Sequence, residues 1–321
     1  MWLLRFVPKK TKIDFVRVRW IGFIFTAVTI LATIGSLAVQ GLNLGIDFTG
    51  GVLVEVRKEE GSVDIAQMRE TVGSLGFGEV AIQSYAGGEL CAATADSCVL
   101  IRVMPEGGIA GKEQETVTKI REALGAGYAF DRVEAVGPKV SDELFNDGVI
   151  ATILAVLMIA VYVAFRFEWQ FGIAAVVATG HDVFVTLGLF TLLQMDFNLT
   201  SVAALLTLAG YSINDTVVVF DRIRENRRKY KKMPLSEVIN LSTNETLSRT
   251  IMTSLTTAIA IIPIVFLGGP ALFGFSVAIL FGIVIGTYSS IYVAAAILLY
   301  LPPISGMTPD EDAAARAAAR P

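Results

Sequence analysis

The chain has 321 residues, 54 % hydrophobic and 17 % charged, with 26 Lys+Arg against 30 Asp+Glu, a net charge of −4, one His and two Cys. Soluble domains carry roughly a quarter charged residues, so this balance and a mean hydropathy of +0.62 exclude a disordered chain, a basic nucleic-acid reader and a disulfide-framework miniprotein. One His and two Cys also leave too few soft ligands for a zinc or iron–sulfur site. A membrane protein remains.

A bilayer-spanning helix needs about 20 mostly apolar residues. Such runs predict spans at 20–40, 148–166, 171–194, 198–220, 249–268 and 272–300. The first has the basic flank of a signal peptide, but its apolar run exceeds the roughly 7–15 residues of a signal h-region. Six retained spans are therefore expected. Residues 1–19 carry six basic side chains against one Asp, and 221–250 carry eight against four acidic, whereas 47–147 carry nine against eighteen. By the positive-inside rule the N-terminus, the 221–248 loop and the 301–321 tail are cytoplasmic, and the acidic insert at 41–147 faces outward.

That insert reads as strand, helix, strand, strand, helix, strand. Strands are predicted at 51–57, 79–85, 98–104 and 132–136. One helix follows Ile65 with Met68, Val72 and Leu75 on one face, and another carries Val117, Ile120 and Leu124. The order is that of a ferredoxin-like α+β domain. Cys91 and Cys98 lie in the connection between the middle strands, on the side where a nearby pair commonly forms a disulfide.

Charged residues within spans are costly, about 2.5–3.5 kcal/mol each at a helix centre, and each asks for a reason. Asp182 lies near the middle of the third span beside His181, a pair that reads either as a proton stop or as a hydrogen-bonded structural element. Asp215 lies in the fourth span, on one face with Thr207 and Tyr211 and next to Asn214 and Ser212. Its alternatives are ion pathway and interhelical glue. Arg249 opens the fifth span and reads as an interfacial anchor or as an ion-pair partner of Asp215. In the sixth span Ala278, Gly282, Gly286 and Ser290 form a small-residue ridge for close helix approach, within the bundle or between subunits. No G-x-x-x-x-G-K-[ST] run and no nucleophile–base set is present, so neither ATP use, a cofactor nor enzymatic chemistry is expected. Ion movement, about 2.3 kcal/mol per charge per 100 mV, is the energy source left.

Long blocks then carry a resemblance. Leu44-Gly45-Ile46-Asp47-Phe48-Thr49-Gly50-Gly51, Val136-Gly137-Pro138-Lys139-Val140-Ser141, Gly180-His181-Asp182-Val183, Ala209-Gly210-Tyr211-Ser212-Ile213-Asn214-Asp215-Thr216 and Leu247-Ser248-Arg249-Thr250-Ile251 resemble the SecF family of the bacterial Sec translocase. So do Phe167-Glu168-Trp169-Gln170 and the run from Phe220 to Asn226. The resemblance implies an inner-membrane protein in lipid, with six helices arranged as one half of an RND-like exporter. It further implies pairing with SecD, association with YajC and the SecYEG channel, and proton-driven promotion of late preprotein export after SecA has acted. The family's proton-path carboxylate falls on Asp215 and its essential arginine on Arg249, with His181 and Asp182 in a motif of less settled role. Cys91 and Cys98 are outside the family pattern. A half-transporter for small amphiphiles and a structural scaffold of a translocase are the rival readings.

Overall fold

The structure, a computed structural model, describes residues 11–59, 61–84, 97–104 and 112–302. Helix α1 (Arg19–Val39) leads to the short α2 (Ile46–Thr49) and then to an α+β domain. Its elements are β1 (Gly51–Lys58), α3 (Ile65–Gly73), β2 (Glu79–Ser84), β3 (Cys98–Met104), α4 (Glu113–Leu124) and β4 (Tyr128–Val136). The helix bundle resumes with α5 (Pro138–Arg166), α6 (Trp169–Leu193), α7 (Leu199–Lys229), α8 (Leu235–Leu267) and α9 (Gly269–Ser289). A π-helical turn (Ser290–Ala294) and the short α10 (Ala295–Ile297) continue α9. Among the described residues six helices are long and apolar enough to cross a membrane, with the α+β domain inserted between the first and second of them.

The four strands are antiparallel in the order β2-β3-β1-β4, the ferredoxin-like arrangement. Alternation sorts the two central strands into two faces. Val52, Val54 and Val56 pair across to Val103, Ile101 and Val99, and all six pack under α3 and α4 with Met68, Val72 and Ile120. Leu53, Glu55, Leu100 and Arg102 form the opposite face, which is also buried. Burial on both faces explains the nearly unbroken apolar runs of β1 and β3. Glu55 lies 3.4 Å from the Arg132 guanidinium, which also holds Glu134. Burial raises the Glu55 carboxyl above the usual carboxylate range, and Arg132 offsets this only in part.

Several boundaries differ from the sequence expectation: α5 begins at Pro138 rather than at 148, and helix fills much of the expected 221–248 loop, since α7 runs on to Lys229 and α8 starts at Leu235. β4 begins at Tyr128, because a bulge leaves Asp131 unpaired between Phe130 and Arg132 and breaks the period-2 pattern there. β3 begins at Cys98 as expected, and that cysteine is buried at the end of the connection. Cys91 lies outside the described residues, as does Tyr85.

Local chemistry sets the remaining boundaries. Asp64 caps α3 by accepting from Ala66 N and Gln67 N at 2.9 and 3.1 Å, Pro138 occupies the first turn of α5, and Asn198 and Ser201 form a capping box on α7. The entry to β1 is made by Gly50 at φ +73° and Gly51 at φ +129°. A Cβ on Gly51 would lie 2.7 Å from the Val103 carbonyl oxygen, on backbone that cannot yield. Gly51→Ala combines that overlap with an unfavourable φ, so a loss of about 2–3 kcal/mol is expected, read as a lower melting temperature in detergent. Gly35→Ala, in open space on α1, is the matched control and should melt no lower than the parent.

Candidate functional site

Helices α6, α7 and α9 form the centre of the bundle, and α1, α5 and α8 lie around them with far less of their surface covered. The ridge of Ala278, Gly282, Gly286 and Ser290 is buried and supplies the close approach. A Cβ on Gly282 would meet Leu208 Cδ1 of α7 at 2.4 Å, and one on Gly286 would lie 3.4 Å from Ser212 Cβ and 3.6 Å from Asp182 Oδ2. The ridge therefore packs within the chain. It brings α9 near enough for Ser289, three residues beyond Gly286, to reach the carboxylate on α6.

Asp182 is fully buried, at 0 % exposure. Its Oδ2 accepts from Ser212 Oγ of α7 at 2.5 Å and from Ser289 Oγ of α9 at 2.6 Å, and its Oδ1 lies 2.9 Å from His181 Nδ1. When Asp182 is ionised it only accepts, and Nδ1 is then the protonated, donating nitrogen. Nε2 of the same ring is buried without a hydrogen-bond partner. Each bond to a charged group contributes about 1.5–3 kcal/mol. Three of them offset the roughly 2.5–3.5 kcal/mol insertion cost of an aspartate at a helix centre. Asp182 thus ties α6, α7 and α9 together through its carboxyl group. The π-helical turn starts at the next residue after Ser289, as such turns often do beside functional groups.

Asp215 has the opposite character. It is 3 % exposed, one turn beyond Ser212 on α7, and its Oδ2 is buried without a hydrogen-bond partner. Arg249 lies within electrostatic range on α8 and Thr253 faces the same carboxyl. Arg249 itself stays exposed. Tyr211 is half-buried with its hydroxyl unpartnered, while Asn214 points out of the chain. The structure therefore separates the expected site residues into a closed node around Asp182 and His181 and an open one around Asp215 and Arg249. Nearby, the Thr179 and Thr216 hydroxyls are buried and unpartnered as well. Such groups are rare in native interiors, and each asks for an explanation.

Comparison with known proteins identifies this arrangement. The model of "Protein export membrane protein SecD/SecF, C-terminal" matches residues 116–302, and that of the "SecD/SecF GG Motif" matches 35–57. The chain belongs to the SecD/SecF family. The protein translocase subunit SecF of Cereibacter sphaeroides is 45 % identical over 302 residues, covering 93 % of this chain and 92 % of its own length. That of Rhodobacter capsulatus is 44 % identical over 305 residues, with coverages of 93 % and 91 %, and that of Rickettsia typhi is 40 % identical over 295, with 92 % and 94 %. Among solved structures, SecDF of Thermus thermophilus, described as a translocon-associated membrane protein, superposes with a TM-score of 0.81 at 36 % identity over 94 % of this chain. SecDF in its super-membrane-facing form gives 0.60 at 37 % identity over 93 %. The chain spans 39 % of the length of either SecDF chain. Within the SecD/SecF family frame, the matched GG motif is the Gly50-Gly51 entry to β1, and the C-terminal match contains both carboxylate nodes.

Ser289 flanks the small-residue ridge and reads in the sequence as a residue that could add hydrogen bonds; its spacing of three from Gly286 and seven from Gly282 places it on the ridge face, and the structure supplies Asp182 as its partner. Tyr288, the other flanking residue expected to add hydrogen bonds, also finds partners. Its hydroxyl bonds the Gly22 carbonyl oxygen at 2.5 Å and Thr26 Oγ1 at 3.0 Å, pinning α1 beside the His181 ring.

Proposed function

We propose that this chain acts as a SecF-type subunit that works with SecD in protein translocation and uses the proton-motive force to promote a late stage of preprotein export. The observation that carries the reading is Asp215: a carboxyl group buried in an apolar helix bundle, with one oxygen unpartnered and a cation on the adjoining helix. Such a group can bind and release H⁺, and its charge decides whether the α8 arginine is attracted. The rearrangement of α7 against α8 that follows is passed to the α+β domain, which moves with its SecD counterpart against an emerging polypeptide and hinders backsliding. Asp182 and His181 form the fixed polar anchor around which this happens.

The surface next to Asp215 supports a membrane-embedded partner. Thr207 and Asn214 on α7 and Arg249 and Thr256 on α8 are all exposed in this single chain. Polar groups at such depth face other protein rather than lipid tails. We assign this face to SecD, and place YajC and the SecYEG channel outside it. The charge bias of the loops supports an inner-membrane location with cytoplasmic termini and an outward α+β domain.

The test is preprotein export in reconstituted vesicles containing the whole translocase, with proton and sodium gradients imposed separately. Stimulation by the proton gradient alone supports the reading; stimulation by sodium alone, or by neither, retires it.

A further inference from the structure

Arg102 sits on the bundle-facing side of the sheet, at 4 % exposure, where its cross-strand neighbours are the apolar Leu53 and Ala81. A buried guanidinium needs a counter-charge and acceptors. Arg102 finds them outside its own domain. Its Nη2 lies 2.6 Å from Asp196 Oδ1, a close ion pair not aligned along an N–H, and its Nη1 donates to Asn43 Oδ1 and the Leu44 carbonyl oxygen, both at 3.1 Å. Asp196 belongs to the short 194–198 turn that joins α6 to α7, the helices carrying Asp182 and Asp215.

Five further hydrogen bonds close the junction. Asn43 Nδ2 donates to the same Asp196 oxygen at 2.8 Å and to the Gln194 carbonyl oxygen at 3.1 Å. Leu44 and Phe197 form a parallel bridge, with Phe197 N donating to Asn43 O and Gly45 N to Phe197 O, each at 2.8 Å. Leu199 N, at the start of α7, donates to Asp47 Oδ2 at 2.9 Å. The approach at Gly45 is close: a Cβ there would lie 3.0 Å from Asn198 Cβ and 3.3 Å from the Phe197 carbonyl oxygen.

We infer that Arg102 is a positioning residue that locks the sheet to the α6–α7 turn, so that a rearrangement of these helices around their carboxylates is delivered to the α+β domain. Delivery to export rests on the proposed function; the lock itself does not. Arg102→Gln removes the charge and the fork that spans Asn43, Leu44 and Asp196, while keeping a polar side chain of similar reach. Arg102→Lys keeps the charge and loses the fork, so it should restore the ion pair with Asp196 only.

Two measurements on the full-length protein in vesicles test this. Spin labels carried on genetically encoded keto residues at Glu70 of α3 and Leu192 of α6, both exposed sites, report the distance across the junction without using cysteine chemistry. Arg102→Gln should broaden that distance distribution at least twofold, and Arg102→Lys should fall between it and the parent. In the complete translocase, Arg102→Gln should lose gradient-stimulated export while gradient-driven proton entry persists, the signature of uncoupling. An unchanged distribution overturns the lock. Joint loss of proton entry and export, or retained stimulation beside a broadened distribution, overturns the coupling. If parent vesicles show no proton-stimulated export, the proposed function fails, and the label widths still decide the lock.

Discussion

Asp215→Asn should reduce export under an imposed proton gradient to the level of gradient-free vesicles, while leaving gradient-independent export unchanged. Asparagine keeps the size and shape of the side chain and removes titration. A 100 mV potential supplies about 2.3 kcal/mol per charge, about fifty-fold in an equilibrium, and that is the scale of stimulation at stake. Because the Asp215 Oδ2 has no hydrogen-bond partner to lose, the variant should melt within about 1 kcal/mol of the parent. Arg249→Met supplies the complementary arm, since it leaves the carboxyl titratable without its cation. It should alter the pH dependence of export rather than abolish proton entry. Full stimulation in Asp215→Asn would remove this acid from the mechanism.

Asp182→Ala should fail in a different way, through stability. It leaves the His181 Nδ1–H, the Ser212 hydroxyl and the Ser289 hydroxyl as donors facing a methyl group. An unsatisfied buried donor costs roughly 1–3 kcal/mol. Ser289 retains its bond to the Gly286 carbonyl oxygen at 3.2 Å, which places the total toward the lower end, about 3–5 kcal/mol. That corresponds to a fall in melting temperature on the order of 10 °C for a chain of this size. The double variant Ser212→Ala with Ser289→Ala strips the carboxylate of two donors and should likewise melt early, whereas either single serine variant should be milder. Parent-like melting of Asp182→Ala would show that the three central helices do not depend on this carboxyl group.

The pattern of apolar runs and the alternation of charge made the six spans legible, because each reflects the solvent its segment meets. The sheet order was legible from the 3.6 and 2.0 periodicities. Where the fold breaks a period, the sequence misled: the bulge at Asp131 hid the first half of β4. The site was legible as a set of residue types but not as a geometry. Asp182 and Asp215 look alike in the chain, and only packing shows that one collects three donors while the other collects none at its Oδ2. Arg102 carried no expectation from the sequence, because its counter-charge on Asp196 lies 94 positions away in the chain.

The brevity of the 194–198 turn limits what these helices can do. Gln194, with its left-handed backbone at φ +51°, ends α6, and the Asn198 capping box starts α7 at once, so no slack remains for one helix to slide along the other like a piston. A one-turn axial step of about 5.4 Å would have to tear the turn from its strand-like pairing with Leu44. The motions left open are tilting and twisting about this fixed hinge, largest at the opposite membrane face, where α7 and α8 run on together beyond their apolar stretches.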